Sequence, residues 1–307
     1  MKNYNLLIFI TGIFLLLPAA GINTYYLSLF STSFIIVLFT LSWDLLGGIC
    51  GQLSLGQALF FGIGSYSFTI LSTYIHLPVL IALAATLLIS FIVALLTGFF
   101  ATRLSGAFFA IFTLALAEIA HELSLNIVFP SPEGISIGGE GGIPLLQGTG
   151  VLDPASVIRE YYIYLVLVIV SACLLRTLLS TPTGMKMKSI AANEILSLSC
   201  GVRTSRIKLI AYSLSALIAS ICGIMLVIHT GRATHFDFSI ELSFQGATLA
   251  ALGGRGKIIG PGVAAFFVTA GFALLEVPPP LKITLYALLL PLVLLKHPLK
   301  LLAHSKG

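Results

Sequence analysis

The chain has 307 residues, 58% of them hydrophobic and 9% charged, with a mean hydropathy of +1.07, whereas a soluble domain carries about 25% charged residues. That balance excludes a soluble core and matches a polytopic membrane protein of roughly ten crossings at about 20 residues each, with little chain left for a separate soluble domain. The net charge of +5 does not point to nucleic acid, because Lys and Arg fall at the ends of apolar runs, where they set topology and meet anionic headgroups.

Lys2 precedes an apolar run, Leu6 to Ala20, which ends in Pro18-Ala19-Ala20-Gly21 and resembles a secretory leader with a small-residue cleavage site. A retained first span is the preferred expectation, because a second apolar run, Tyr25 to Leu46, follows almost at once with Asp44 near its inner end.

The stretch Gly47 to Leu71 carries Gly47, Gly48, Gly51, Gly56, Gly62 and Gly64, interleaved with Gln52, Ser54 and Gln57. Each interior Gly weakens a helix by about 1 kcal/mol relative to Ala. Such a sequence suits close helix packing or a broken, re-entrant backbone. Packing alone accounts about equally well for Gly62 and Gly64; for the three polar side chains a cavity lining is the better reading.

Pro78 to Ala101 reads as a clean span ending at Arg103, and Gly106 to Phe129 as the next. The latter holds Glu118, His121 and Glu122. Ionisable residues inside a span are expensive and mark a pathway or an internal pair. Glu118 and Glu122 share a face at i,i+4, with Glu118 near mid-span. No second His completes a zinc-protease pattern, and Glu118-x-x-His121 occurs once where a di-iron bundle needs two such pairs, so no metal site is expected. The four cysteines, Cys50, Cys173, Cys200 and Cys222, are scattered without a CxxC pair and read as packing residues.

Residues 130 to 160 form the one long polar loop on the opposite side, with Glu133, Glu140, Asp153 and Glu160 against Arg159. Tyr161 to Ser180 then leads to a basic interruption, about 181 to 208, which with Arg176 holds Lys186, Lys188, Arg203, Arg206 and Lys208 against Glu194 alone. A loop this basic belongs on the cytoplasmic side. Within it Ser189 to Cys200 reads as a short amphipathic helix, with Ile190, Ala191, Ile195 and Leu198 near a 3.6 spacing and Gly201 placed for a left-handed cap. Leu209 to Thr230, a short span Ile240 to Leu252, a glycine-rich turn Gly253 to Gly262, Val263 to Val277 and Lys282 to Leu295 complete the chain. With ten crossings and both termini cytoplasmic, thirteen basic residues lie inside and three outside, which favours this orientation.

Taken in order, Ser54-Leu55-Gly56-Gln57-Ala58, Phe60-Phe61-Gly62-Ile63-Gly64-Ser65-Tyr66, Arg103-Leu104-Ser105-Gly106, Leu114 to Ile119, Gly138 to Pro144, Ala192-Asn193-Glu194, Gly201-Val202 and Leu252 to Pro261 resemble the LivM-type permease subunits of branched-chain amino acid ABC importers. The family usually has His where this chain has Gln57 and commonly Asn where it has Asp44, and it includes urea and short-amide importers.

The resemblance implies an all-α fold of about ten transmembrane or re-entrant helices in a single permease domain, 1–307, in a bacterial or archaeal cytoplasmic membrane. It implies a heterodimer with a second permease, two cytoplasmic ATPase subunits and an external binding protein, with ATP and Mg held by the ATPases and no cofactor or catalysis in this chain. Ala191, Ala192, Glu194, Leu198 and Gly201 would couple to the ATPases, and Asp44, Gln52, Ser54, Gln57 and Glu118 would line the translocation pathway. Gly254-Arg255-Gly256-Lys257 is followed by Ile258, so it is no phosphate loop. An ion-coupled transporter remains an alternative, with the Gly47 region as its only candidate ion site; an intramembrane enzyme lacks a nucleophile and base at a plausible spacing.

Overall fold

The structure is a computed structural model describing residues 14–15, 18, 23–130, 136–145, 157–278, 281–282, 284–286 and 288–289. Most of the predicted first span and the basic tail from Lys296 lie outside the described residues, as does Asp153. The described chain is nearly all helix: α1 (Thr24–Asp44), running directly into a π-helical turn (Leu45–Ile49), α2 (Gln57–Thr73), α3 (Val79–Ala101), α4 (Ala107–Asn126), α5 (Val157–Ser180), α6 (Pro182–Ala192), α7 (Glu194–Ser199), α8 (Thr204–Thr230), α9 (Ile240–Gly253) and α10 (Ile259–Leu274). Among the described residues five helices are long and apolar enough to cross a membrane: α1 with its π turn, α3, α4, α5 and α8. The protein is therefore an all-α, polytopic membrane protein.

The layering follows from which helices carry small and polar residues. α1 and α8 form the centre, with 83% and 67% of their apolar windows buried, whereas α3, α4 and α5 bury 28%, 22% and 17%. α8 packs along α2, α3 and α1, and α1 also meets α5, α9 and α10. Small residues allow these close approaches: a Cβ on Gly64 of α2 would sit 2.8 Å from Ser220 Cα of α8, and one on Gly223 of α8 would sit 2.9 Å from the Phe61 carbonyl carbon. Outside this centre, α3 presents Leu80, Leu88, Leu96 and Phe100, all well exposed, to the space a bilayer would fill.

The described residues after α4 form two short antiparallel ribbons, one within the polar loop and one with residues that follow α8. Val128 pairs with Gly138, Phe129 with Ile137 and Pro130 with Ser136, while Ile143 pairs with Ala233 and Pro144 with Arg232. The second ribbon ties the loop after α4 to the turn after α8 at one end of the bundle.

Several predicted boundaries move. α5 starts at Val157, so Arg159 and Glu160 lie on a helix rather than in the loop. The glycine-rich turn shrinks to Gly254–Ile258, because the helix starts at Ile259 with Pro261 in its first turn, where a missing N–H is tolerated. The single helix expected from Ser189 to Cys200 is two helices. Asn193, at φ −163° and ψ 111°, ends α6, and its side-chain oxygen accepts from Leu196 N at 3.0 Å to start α7.

Candidate functional site: a broken helix over a basic loop

The polar residues of the Gly47 region lie on a genuine interruption. α1 loosens into the π turn, Cys50 to Gly56 is non-helical, and α2 resumes at Gln57. Backbone outside a helix survives at membrane depth only when its hydrogen bonds are met internally. Gln52 N donates to Leu46 O (2.9 Å), Leu55 N to Thr113 Oγ1 (3.1 Å) and Ala58 N to Ser243 Oγ (2.9 Å), while Ser54 O accepts from Trp43 Nε1 (2.7 Å). α1, α4 and α9 thus complete the break.

Gln57 is the pin of this region and is 1% exposed. Its Nε2 lies 3.2 Å from Ser42 Oγ, 2.6 Å from Ser215 Oγ and 3.1 Å from Ser215 O, and Ser215 Oγ donates to Ser42 O at 2.7 Å. One amide therefore joins α1, α2 and α8. Asp44 is wholly buried at the end of α1, and its Oδ1 accepts from Gly256 N at 2.8 Å, latching the π turn to the Gly254–Ile258 turn. Arg255 stands over the Trp43 ring at 5.8 Å; burial lowers its pKa, and the Asp44 carboxylate opposes that. Asp44 Oδ2, Gln52 Oε1 and Gln57 Oε1 are buried acceptors without a partner within the described chain. Ser54 is buried, and its Oγ accepts from Gly56 N at 3.3 Å.

Glu118 does not join this group. It lies on the exposed face of α4, whose buried face, Phe109, Thr113 and Ala117, packs inward.

The basic loop meets the break directly. Gly51 has φ +75°, and a Cβ there would stand 2.8 Å from Ala191 Cα at the end of α6. Thr181 caps α6 by accepting from Gly184 N at 3.3 Å, with Pro182 in the first turn. Glu194 opens α7 and is ion-paired with Lys208 of α8, which is 1% exposed. Gly201 adopts φ +80°, with its N–H bonded to Leu198 O at 2.9 Å. Ala191 and Ala192 are exposed, and Ile195, Leu196 and Leu198 are 67%, 62% and 52% exposed. The loop thus presents an apolar surface away from the bundle.

Sequence reading missed a second polar junction near the opposite end. His229 Nδ1 lies 3.0 Å from Glu160 Oε2, and its Nε2 lies 3.3 Å from Ser28 Oγ and 3.2 Å from Thr32 Oγ1, joining α8, α5 and α1. A helix start four residues earlier for α5 was the missing signal. Beyond it, the turn His235–Phe238 is closed by a capping box in which Asp237 accepts from Thr234 N (3.1 Å) and Thr234 Oγ1 (3.2 Å). Burial raises the Asp237 pKa to about 6 against these bonds.

Among the described residues no group of three or more His, Cys, Asp or Glu is placed to hold a metal. A cavity of 330 Å³ between α1, α5 and α10, with Phe34, Val37, Leu165, Val263 and Phe266 in its wall, is lined almost wholly by carbon. It offers no hydrogen bonds to orient a charged solute.

A family model described as "Branched-chain amino acid transport system / permease component" matches residues 25–294. The chain is 30% identical over 242 residues to the high-affinity branched-chain amino acid transport system permease protein LivM of Salmonella typhimurium, and 30% identical over 250 residues to LivM of Escherichia coli. Each match covers 73% of this chain and 57% of the relative, so the chain spans a little over half the length of those proteins. The ribose import permease protein RbsC of Bacillus subtilis is 31% identical over 87 residues, 26% of each chain. No solved structure matches the chain significantly.

Proposed function

This chain belongs to the family of branched-chain amino acid transport system permease components, and from that membership we propose that it is the membrane permease subunit of an ATP-driven importer for branched-chain or other hydrophobic amino acids. It performs no covalent chemistry: ATP and Mg are held by two separate ATPase subunits, and solute arrives from an external binding protein. A second, related permease completes the translocation unit. The protein resides in a bacterial or archaeal cytoplasmic membrane with both termini inside, supported by the thirteen-to-three distribution of basic residues.

The observation that carries this reading is the two-helix basic loop. α6 and α7 expose Ile195, Leu196 and Leu198 on one side and touch the broken helix at Gly51 on the other. An apolar cytoplasmic face needs a protein to cover it, and an ATPase subunit docking there would push on the break through Ala191. Ala191, Ala192, Glu194, Leu198 and Gly201 form this coupling unit. Asp44, Gln52, Ser54 and Gln57 are then the wall that the alternate conformation uncovers, whereas Glu118, on the exposed face of α4, stands apart from it. Alternating access follows when the break opens and closes this wall.

The test is purification of the tagged chain from native membranes in mild detergent, with mass spectrometry of its companions and ATP-dependent uptake of leucine and of urea after reconstitution. Recovery of a second permease and two ATPases with leucine uptake is expected. A lone protein transporting without nucleotide would overturn the reading.

A further inference from the structure

The outward faces of the membrane helices are not alike. α3 carries no ionisable residue, and the exposed middle of α5 is Val166, Val170 and Leu174, so both suit hydrocarbon. α4 exposes Phe108, Ile111, Ala115, Glu118, Ile119, Glu122 and Leu123 along one stripe. At a rise of about 1.5 Å per residue Glu118 lies about 12 Å from the outer end of α4, at Asn126, too deep for its short side chain to reach an interface. Among the described residues neither Glu118 nor Glu122 is ion-paired. The neighbouring imidazole of His121 is turned inward, its Nδ1 3.0 Å from His235 O. Two carboxylates on the exposed face of a spanning helix do not face lipid.

We propose that this stripe of α4, from Phe108 through Ile111, Ala115 and Glu118 to Glu122, is the surface on which a second, different permease subunit packs, its facing helix supplying hydrogen-bond donors or a cation to the two carboxylates. The inference rests on the two-permease reading above and adds to it where the contact lies and what chemistry it needs. Charge decides the kind of partner. A second copy of this chain meeting the same face would set Glu118 and Glu122 against the same acids, whereas a different subunit can be complementary. The apolar residues of the stripe supply the packing surface, with Ala115 permitting close approach.

The test places the photoreactive residue benzoylphenylalanine at Ile111 or Ala115, and for comparison at Leu88 of α3 or Val170 of α5, in the full complex within native membranes. Expected are adducts from Ile111 and Ala115 to a membrane helix of a different polytopic permease, and only lipid adducts from Leu88 and Val170. Replacing both acids, Glu118→Leu with Glu122→Leu, should reduce recovery of that permease severalfold while this chain still inserts and remains monodisperse. Lipid adducts alone from the α4 positions, or adducts to a second copy of this chain, would overturn the inference. So would recovery of the second permease with adducts only from α3 or α5, which leaves the two-permease reading standing. If the unsubstituted chain recovers no second permease, that reading falls and the inference with it.

Discussion

Glu194, the first residue of α7, is ion-paired with Lys208, whose side chain is 1% exposed within α8, while Glu194 itself is 30% exposed. The two partners are therefore unequal. Removing the acid strands a buried ammonium, and removing the base leaves a carboxylate that water still reaches. Breaking a fully buried pair costs about 3–5 kcal/mol, and the exposure of Glu194 reduces this to on the order of 2 kcal/mol. Glu194→Gln should lower the thermal midpoint in detergent more than Lys208→Met does. The double variant should regain most of the stability yet transport poorly if Glu194 also transmits motion. Full transport by the double variant would reduce the pair to a structural tie.

The contact between Gly51 and Ala191 predicts a variant that folds but does not transport. Gly51→Ala meets two obstacles, a left-handed backbone costing about 1–2 kcal/mol and the Ala191 Cα at 2.8 Å. Gly231 separates them, because it has φ +74° with nothing within 4 Å of an added Cβ and lies outside the coupling loop, at the end of α8. Gly231→Ala should thus report backbone strain alone. In the reconstituted complex Gly51→Ala should retain ATP hydrolysis and lose uptake well beyond Gly231→Ala. Equal losses from the two would mean that the approach of α6 to the break carries no motion.

The Gly47 region was legible as either close helix packing or a break, because glycines and amides make a poor lipid-facing helix, and the structure puts non-helical backbone at Cys50 to Gly56. What closes that break was not legible. Thr113 and Ser243 reach it from α4 and α9, and such distant pairings leave no periodic trace. The basic loop was recognisable by charge, but its split at Asn193 was not: the residue sits within an apolar periodicity and acts through its cap. Glu118 was marked as costly in lipid by its type alone. Only the structure shows that it lies on a different face from Asp44 and Gln57.

Thiol reactivity distinguishes the pathway wall from static packing. Gln57 is 1% exposed and bonded to α1 and α8, so Gln57→Cys should be protected from small polar thiol reagents in the resting complex. During ATP turnover it should become reactive. The free Cys50, Cys173, Cys200 and Cys222 are replaced by Ser or Ala in the background. Protection at position 57 in both states would assign the amide to packing.

The turn holding Asp237 predicts a pH dependence whose sign follows from burial. The carboxyl is 4% exposed, and its pKa is raised from 3.8 to about 6 by burial, against hydrogen bonds from Ser65 and Thr234. The folded protein therefore holds a proton there that the unfolded chain has already lost between about pH 4 and about pH 6. Stability from this group is greatest below about pH 4 and is lost as pH rises through about 6, by at most about 3 kcal/mol for a shift of this size. Asp237→Asn keeps the acceptor for Thr234 N and removes the titration. Its thermal midpoint should change less between about pH 4 and pH 7 than that of the unsubstituted protein, with the largest relative gain at pH 7. Parallel profiles for the two proteins would show that Asp237 ionises in the folded turn as freely as in water.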